Sequence, residues 1–201
     1  DYQHMGAFDT AAMAGFKADH VAALDATAIA GLDKDQFAAF DPSAMAGFKA
    51  DHFAAIDYGY MTALGKDHVA AFDPMAVAGF DDKHIAAFDT AAMAGFKADH
   101  VAALDATAIA GLDRDQFAAF DPSAMAGFKA DHFAAIDYGY MTALGKDHVA
   151  AFDPMAVAGF DDKHIAAFDT EAMAGFKADH VAALDATAIA GLGKDQFAAF
   201  D

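Results

Sequence analysis

The chain has 201 residues, is 57% hydrophobic and carries 31 acidic side chains against 12 Lys and Arg, for a net charge of −19; it has no Cys and no Trp. Such an acidic chain offers no basic stripe to displace counterions, which argues against a nucleic-acid partner or an anionic membrane surface. No apolar run approaches the ~18 residues of a membrane span, and without Cys there is neither a disulfide framework nor thiol chemistry.

From the N-terminus, an irregular octad, DYQHMGAF, leads into a strict repeat. An Asp recurs at every second octad from Asp9 to Asp201. The repeat is thus a 16-mer that splits into two octads. The odd ones read DTAAMAGF, DATAIAGL, DPSAMAGF, DYGYMTAL and DPMAVAGF; the even ones read KADHVAAL, DKDQFAAF, KADHFAAI, GKDHVAAF and DDKHIAAF. Slots 5 and 8 are always large and apolar, and slots 6 and 7 are almost always Ala or Gly. A longer period, a super-repeat of ten octads, lies above this one. Residues 9–88 and 89–168 differ only by Lys34 becoming Arg114, and a third, partial copy runs over 169–201 with Glu171 and Gly193 as its changes. The chain reads as one continuous array over 1–201, with no linker.

An octad such as DPSAMAGF, residues 41–48, spells a short helix. Asp41 is a preferred N-cap, and Pro42 suits the first helical position, where its missing N–H costs nothing. Gly47 sits where a helix would stop on a left-handed residue. In the even octads Asp19 reads as an N-cap or as an N3 residue facing the helix dipole. One unbroken helix is excluded, because a period of 8 winds the apolar stripe around the rod and puts Pro in helix interiors. The expected fold is all-α: an α-solenoid of short helices, two per 16-residue coil, about 110–125 Å long at ~9–10 Å per coil. The alternative is a β-solenoid with 16-residue coils, which Ala disfavours and in which slots 5 and 8 would point to opposite faces. Slots 5 and 8 supply the core strip, starting with Met13, Phe16, Val21, Leu24, Ile29, Leu32, Phe37 and Phe40.

Slot 4 of the even octads holds a His ladder, His20, His52, His68, His84, His100, His132, His148, His164 and His180, with Gln36, Gln116 and Gln196 at the same slot. Gln can take over a hydrogen bond but is a poor metal ligand, so the ladder reads as bonding between coils. The slot-1 Asp ladder reads as caps. Asp25, Asp41, Asp57 and Asp73 are also the calcium candidates, since Asp carboxylates are natural calcium ligands. No cofactor is expected, and calcium is the one alternative. No nucleophile elbow, phosphate loop or paired metal-protease histidines occur, so no enzyme is expected. One octad in each super-repeat departs from the pattern: DYGYMTAL places Tyr58 and Tyr60, and later Tyr138 and Tyr140, at slots that are small elsewhere. These four are the candidates for self-association.

Octads such as DPSAMAGF and DKDQFAAF resemble the short Thr-Pro-x-Gln-Φ-Ala-Ala-Leu repeats of large bacterial surface and secreted proteins, with Asp in place of the Thr cap and Pro only occasional. The 16-residue period is also that of bacterial ice-nucleation proteins, whose Thr-x-Thr and Ser-Leu-Thr signatures are absent. The first resemblance implies an extended structural protein located outside the cell or on its surface. Residues and resemblance together give the expectation of a non-enzymatic filament segment whose partner is itself, head-to-tail or laterally. A calcium- or surface-binding adhesin is the alternative.

Overall fold

The computed structural model describes residues 1–200. Each of the 25 octads in that range forms one helix of four to six residues, and there is no strand among the described residues. The fold is an all-α solenoid.

Helix starts follow from slot 1. In the Thr- and Ala-led odd octads the Asp caps an α-helical turn: Asp25 is extended, at φ −90° and ψ 164°, and its Oδ1 accepts the N–H of Ala28 at 2.7 Å. Where Pro or Tyr follows the Asp of an odd octad, the turn is a tighter 3₁₀ helix, as in Pro42–Gly47, Tyr58–Ala63 and Pro74–Gly79. There the cap reaches one residue less far. Asp41 Oδ1 accepts from Ser43 N at 3.0 Å and from Ser43 Oγ at 2.7 Å. In the even octads the N-cap is slot 1 itself, Lys17 in the first of them, so Asp19 lies second in the helix, and neither expected position holds. The side chain that closes this start is His20, whose Nδ1 accepts the Lys17 N–H at 3.0 Å.

Gly47 does not end its helix in a left-handed conformation; no described residue has a positive φ. Phe48 follows it in extended conformation, at φ −70° and ψ 144°. Glycine is required here for a different reason. A Cβ on Gly47 would overlap the carbonyl oxygen of Ala18, in the first turn of the helix Ala18–Ala22. Backbone packs on backbone there, and only a residue without a side chain permits it.

That contact sets the architecture. Gly47 and Ala18 belong to octads three apart in the chain, and every helix–helix contact among the described residues has this spacing. Ala18–Ala22 lies on Pro42–Gly47, Ala50–Ala55 on Pro74–Gly79, and Ala98–Ala103 between Pro74–Gly79 and Pro122–Gly127. The coil is therefore three octads and three helices, in place of the expected two of each. The cross-section is three-sided. Face one stacks the octads that start at Asp1, Asp25, Lys49, Asp73, Lys97, Asp121, Gly145, Asp169 and Gly193. Face two starts from Asp9 and face three from Lys17, each continuing in steps of three octads.

Three is odd, so odd and even octads alternate up every face. An odd octad meets the even one three octads before it by the glycine contact. An even octad packs on the odd one three octads before it, Ala50–Ala55 on Ala26–Ile29, and its slot-4 side chain bonds just beyond, to the end of the even octad that leads into that odd one: His52 Nε2 donates to the carbonyl of Leu24 at 2.9 Å, one residue before Asp25. The core fills the three-sided interior. From Ile29 to Phe176 every slot-5 and slot-8 side chain is buried. Slot-8 rings of successive octads meet edge to face near the axis, Phe40 on Phe48 and Phe88 on Phe96 both at 5.4 Å. This is the favoured aromatic geometry. Slot 4 is a third buried position. In most odd octads it holds Ala, as at Ala28, Ala44 and Ala76.

Candidate functional site

The residues with chemistry to offer are the slot-4 ladder, the slot-1 aspartates and the tyrosines. Interior ladder histidines use both ring nitrogens. His52 is fully buried; its Nδ1 accepts the Lys49 N–H at 3.1 Å while Nε2 donates to Leu24 O. His100 does the same between Lys97 N and Phe72 O, and His132 between Lys129 N and Leu104 O. An Nδ1 that accepts and an Nε2 that donates define a neutral ring with one tautomer. The glutamines reproduce the pattern with an amide. Gln116 Oε1 accepts the Asp113 N–H at 3.0 Å, and its Nε2 donates to Phe88 O at 2.7 Å and Ile85 O at 2.9 Å. The ladder thus bonds one coil to the next, as its His/Gln alternation indicated. No buried side-chain nitrogen or oxygen among the described residues lacks a partner.

His84 and His164 differ in one contact. Asp81 Oδ1 lies 2.7 Å from His84 Nδ1 and also accepts the N–H groups of Lys83 and His84. Asp161 repeats this at 2.8 Å from His164. The backbone N–H of His84 is the main cause that holds the Asp81 carboxyl below its usual range, with its ring adding a hydrogen bond and a charge; partial burial opposes them. Asp161 is lowered in the same way. Asp41 and Asp121 are lowered first by the Ser43 and Ser123 hydroxyls and then by the backbone N–H of the same serines.

The four calcium candidates do not form one row. Asp25 and Asp73 start helices on face one, Asp57 on face two and Asp41 on face three. Each gives an oxygen to its own helix start: Ala28 N, Ser43 N, Gly59 N and Met75 N respectively for Asp25, Asp41, Asp57 and Asp73. Among the described residues no three His, Asp or Glu side chains converge as a metal-holding group.

The tyrosines divide into two kinds. Tyr60 turns inward, tilts over Phe37 at 6.0 Å and donates its hydroxyl to Leu32 O at 3.1 Å, the same reach along the chain as His52 to Leu24. Tyr140 does likewise to Leu112 O. Burial, with Asp57 and Asp33 nearby, raises the Tyr60 hydroxyl above its ordinary pKa. These two tyrosines therefore serve the stack in octads that lack the slot-7 glycine. Tyr58 and Tyr138 point outward, 50% and 49% exposed. Two more exposed apolar residues escaped the sequence reading, Met75 and Met155, at 81% and 82%. Their signal was a long apolar side chain at slot 3, which elsewhere in the odd octads holds small residues such as Ala11, Thr27, Ser43 and Gly59, or the charged Glu171.

No protein-family model matches the chain, and no curated protein is similar to it. No helix among the described residues is long and apolar enough to cross a membrane.

Proposed function

We propose that this chain is a non-enzymatic structural rod, a segment of an extended extracellular filament or surface fibre that associates with copies of itself. The observation that carries the reading is where the reactive side chains are used. Interior ladder histidines bond to backbone with both ring nitrogens, and the slot-1 aspartates cap helices. A single core runs through all the coils with the same two slots filling it. Stacked repeats of this kind gain their stability from neighbours, so the unit extends without changing its interior.

Head-to-tail association uses the stacking surface itself. Within the rod that surface is where each octad meets the third octad further along the chain. Heterologous contacts that do not close give filaments. The extracellular placement rests on the resemblance to bacterial surface and secreted repeats.

Electron microscopy of the purified chain, with and without a chelator, tests this reading. Rods that lengthen with protein concentration and are unchanged by chelator are expected. A chain that stays monomeric throughout the accessible concentration range would overturn it. Assembly or folding that requires calcium would favour the adhesin.

A further inference from the structure

The sequence duplication and the coil are out of step. A super-repeat is ten octads, and a coil holds three. Each copy of the super-repeat therefore begins three coils further on and one face around the rod. Identical segments of sequence come to lie on different sides of the molecule.

The consequence is largest for what the surface exposes. Away from the first and last coils, the large apolar side chains left open are Tyr58, Met75, Tyr138 and Met155, two in each copy. Tyr58 is on face two, in the column with Asp82–Ala87, and Tyr138 is on face three, in the column with Asp162–Ala167. Met75 is on face one and Met155 on face two. The stack does not need any of the four. Thr10 and Pro42 stand at the slot of Tyr58, and Ser43 and Ser123 at the slot of Met75, in helices that cap and stack in the same way.

Three of these side chains border a hollow that also holds a lysine. Tyr138 has Lys163 Nζ 5.8 Å from its ring centroid, beside a shallow hollow of about 320 Å³ with Ala166 and Ala167. Met75 lies at a hollow of about 430 Å³ with Phe48, Lys49 and Asp73, and Met155 at one of about 390 Å³ with Phe128, Lys129 and Asp153. The lysines are a minority charge in a chain of net −19. A second copy of this chain supplies both complements: carboxylates for the lysines, and a protruding Met or Tyr for the hollows.

We infer that Tyr58, Met75, Tyr138 and Met155 are lateral contact points between copies of this chain, presented on the three faces in rotation, so that each rod meets neighbours on three sides. The pattern returns to its starting face only after three copies of the super-repeat. This deepens the filament reading and rests on it. Neighbours joined through these points form bundles that grow in two directions across the rod axis; a flat ribbon would need a face left without points.

Two variants test this. In the first, Tyr58→Thr, Tyr138→Thr, Met75→Ser and Met155→Ser are combined, each being a residue the chain already uses at that slot. Bundling is expected to be lost while rods keep their single-filament length and helicity. In the second, the segment 89–104 is duplicated in place, which lengthens the spacing between copies to twelve octads, or four whole coils. The two outward tyrosines then align on face two and the two methionines on face one, and face three carries none. Its bundles are expected to flatten into ribbons. Bundles of unchanged thickness in the first variant, or of unchanged cross-section in the second, would overturn the inference. So would a parent chain that forms only single filaments, a result that leaves the filament reading standing. A parent chain that forms no filaments at any concentration removes the filament reading itself.

Discussion

At the scale of single residues, slot 4 of the even octads carries the most information. His52 has no exposed surface and serves two backbone groups, Lys49 N–H and Leu24 C=O. Its His/Gln variation was legible in the sequence as a hydrogen-bonding role, because both residues offer an acceptor and a donor at opposite ends of a flat group. The chain therefore contains its own control substitution. His52→Gln is expected to shift the denaturation midpoint little, since Gln116 makes the same two kinds of bond. His52→Leu keeps the volume but strands both partners, at a cost of about 1–3 kcal/mol for each buried group left unpaired. Chemical denaturation of the two variants side by side decides the point. Equal losses would show that the ladder matters for its shape and not for its bonds.

At the scale of the helix, the Asp caps were readable and the details of their reach were not. An Asp before an Ala- or Thr-led octad and an Asp before Pro look like the same cap in one dimension, yet the first bonds three residues ahead and the second two. Pro fixes φ after the cap, but it is not the sole route to the tighter 3₁₀ turn, since Tyr58–Ala63 takes it without a proline. The glycine in slot 7 was misread as a chain stop because a sequence shows what a residue permits, not what passes next to it. The cap aspartates of two even octads, Asp81 and Asp161, lead to a pH prediction. Their carboxyls are lowered in the folded chain, first by the backbone N–H of His84 and of His164. A lowered carboxyl adds stability that is complete above its unfolded value, about 3.9, and is lost as pH falls through the folded value beneath it. The helices Asp82–Ala87 and Asp162–Ala167 are thus expected to loosen on acidification below about pH 4. Replacing both residues, Asp81→Asn and Asp161→Asn, keeps a good cap and removes the titration. Thermal midpoints measured from about pH 6 to about pH 3, a range that brackets the carboxylate value, should then fall less steeply in the double variant than in the parent. Parallel slopes would assign the acid sensitivity elsewhere.

At the scale of the whole molecule, the sequence period and the structural period differ, and the reason is chemical. All odd octads but the two DYGYMTAL ones carry the slot-7 glycine, and even octads carry the slot-4 His or Gln, so the two make unlike stacking surfaces. The glycine of one lies against the backbone of the first turn of the other, as Gly47 on Ala18, Gly95 on Lys66 and Gly111 on Asp82. Odd must lie on even, and that demands an odd number of octads per coil. A coil of two would put like on like and press Gly47 against an octad of its own kind. One octad is too short to close a turn, so three is the smallest solution. The signal for this was present in the restriction of slot-7 Gly and slot-4 His or Gln to alternate octads, but only a stacking argument extracts it; the 16-residue repeat taken alone points to the wrong coil. The difference can be measured directly. Twenty-five octads at three to a coil make eight coils and one octad more. At the ~9–10 Å spacing of packed helices this is a rod of roughly 75–85 Å, against about 110–125 Å for two-helix coils. Small-angle scattering of the monomer at low concentration separates these lengths. A maximum dimension near the longer value would refute the three-sided coil, and the rotation of the super-repeat around the rod would fall with it.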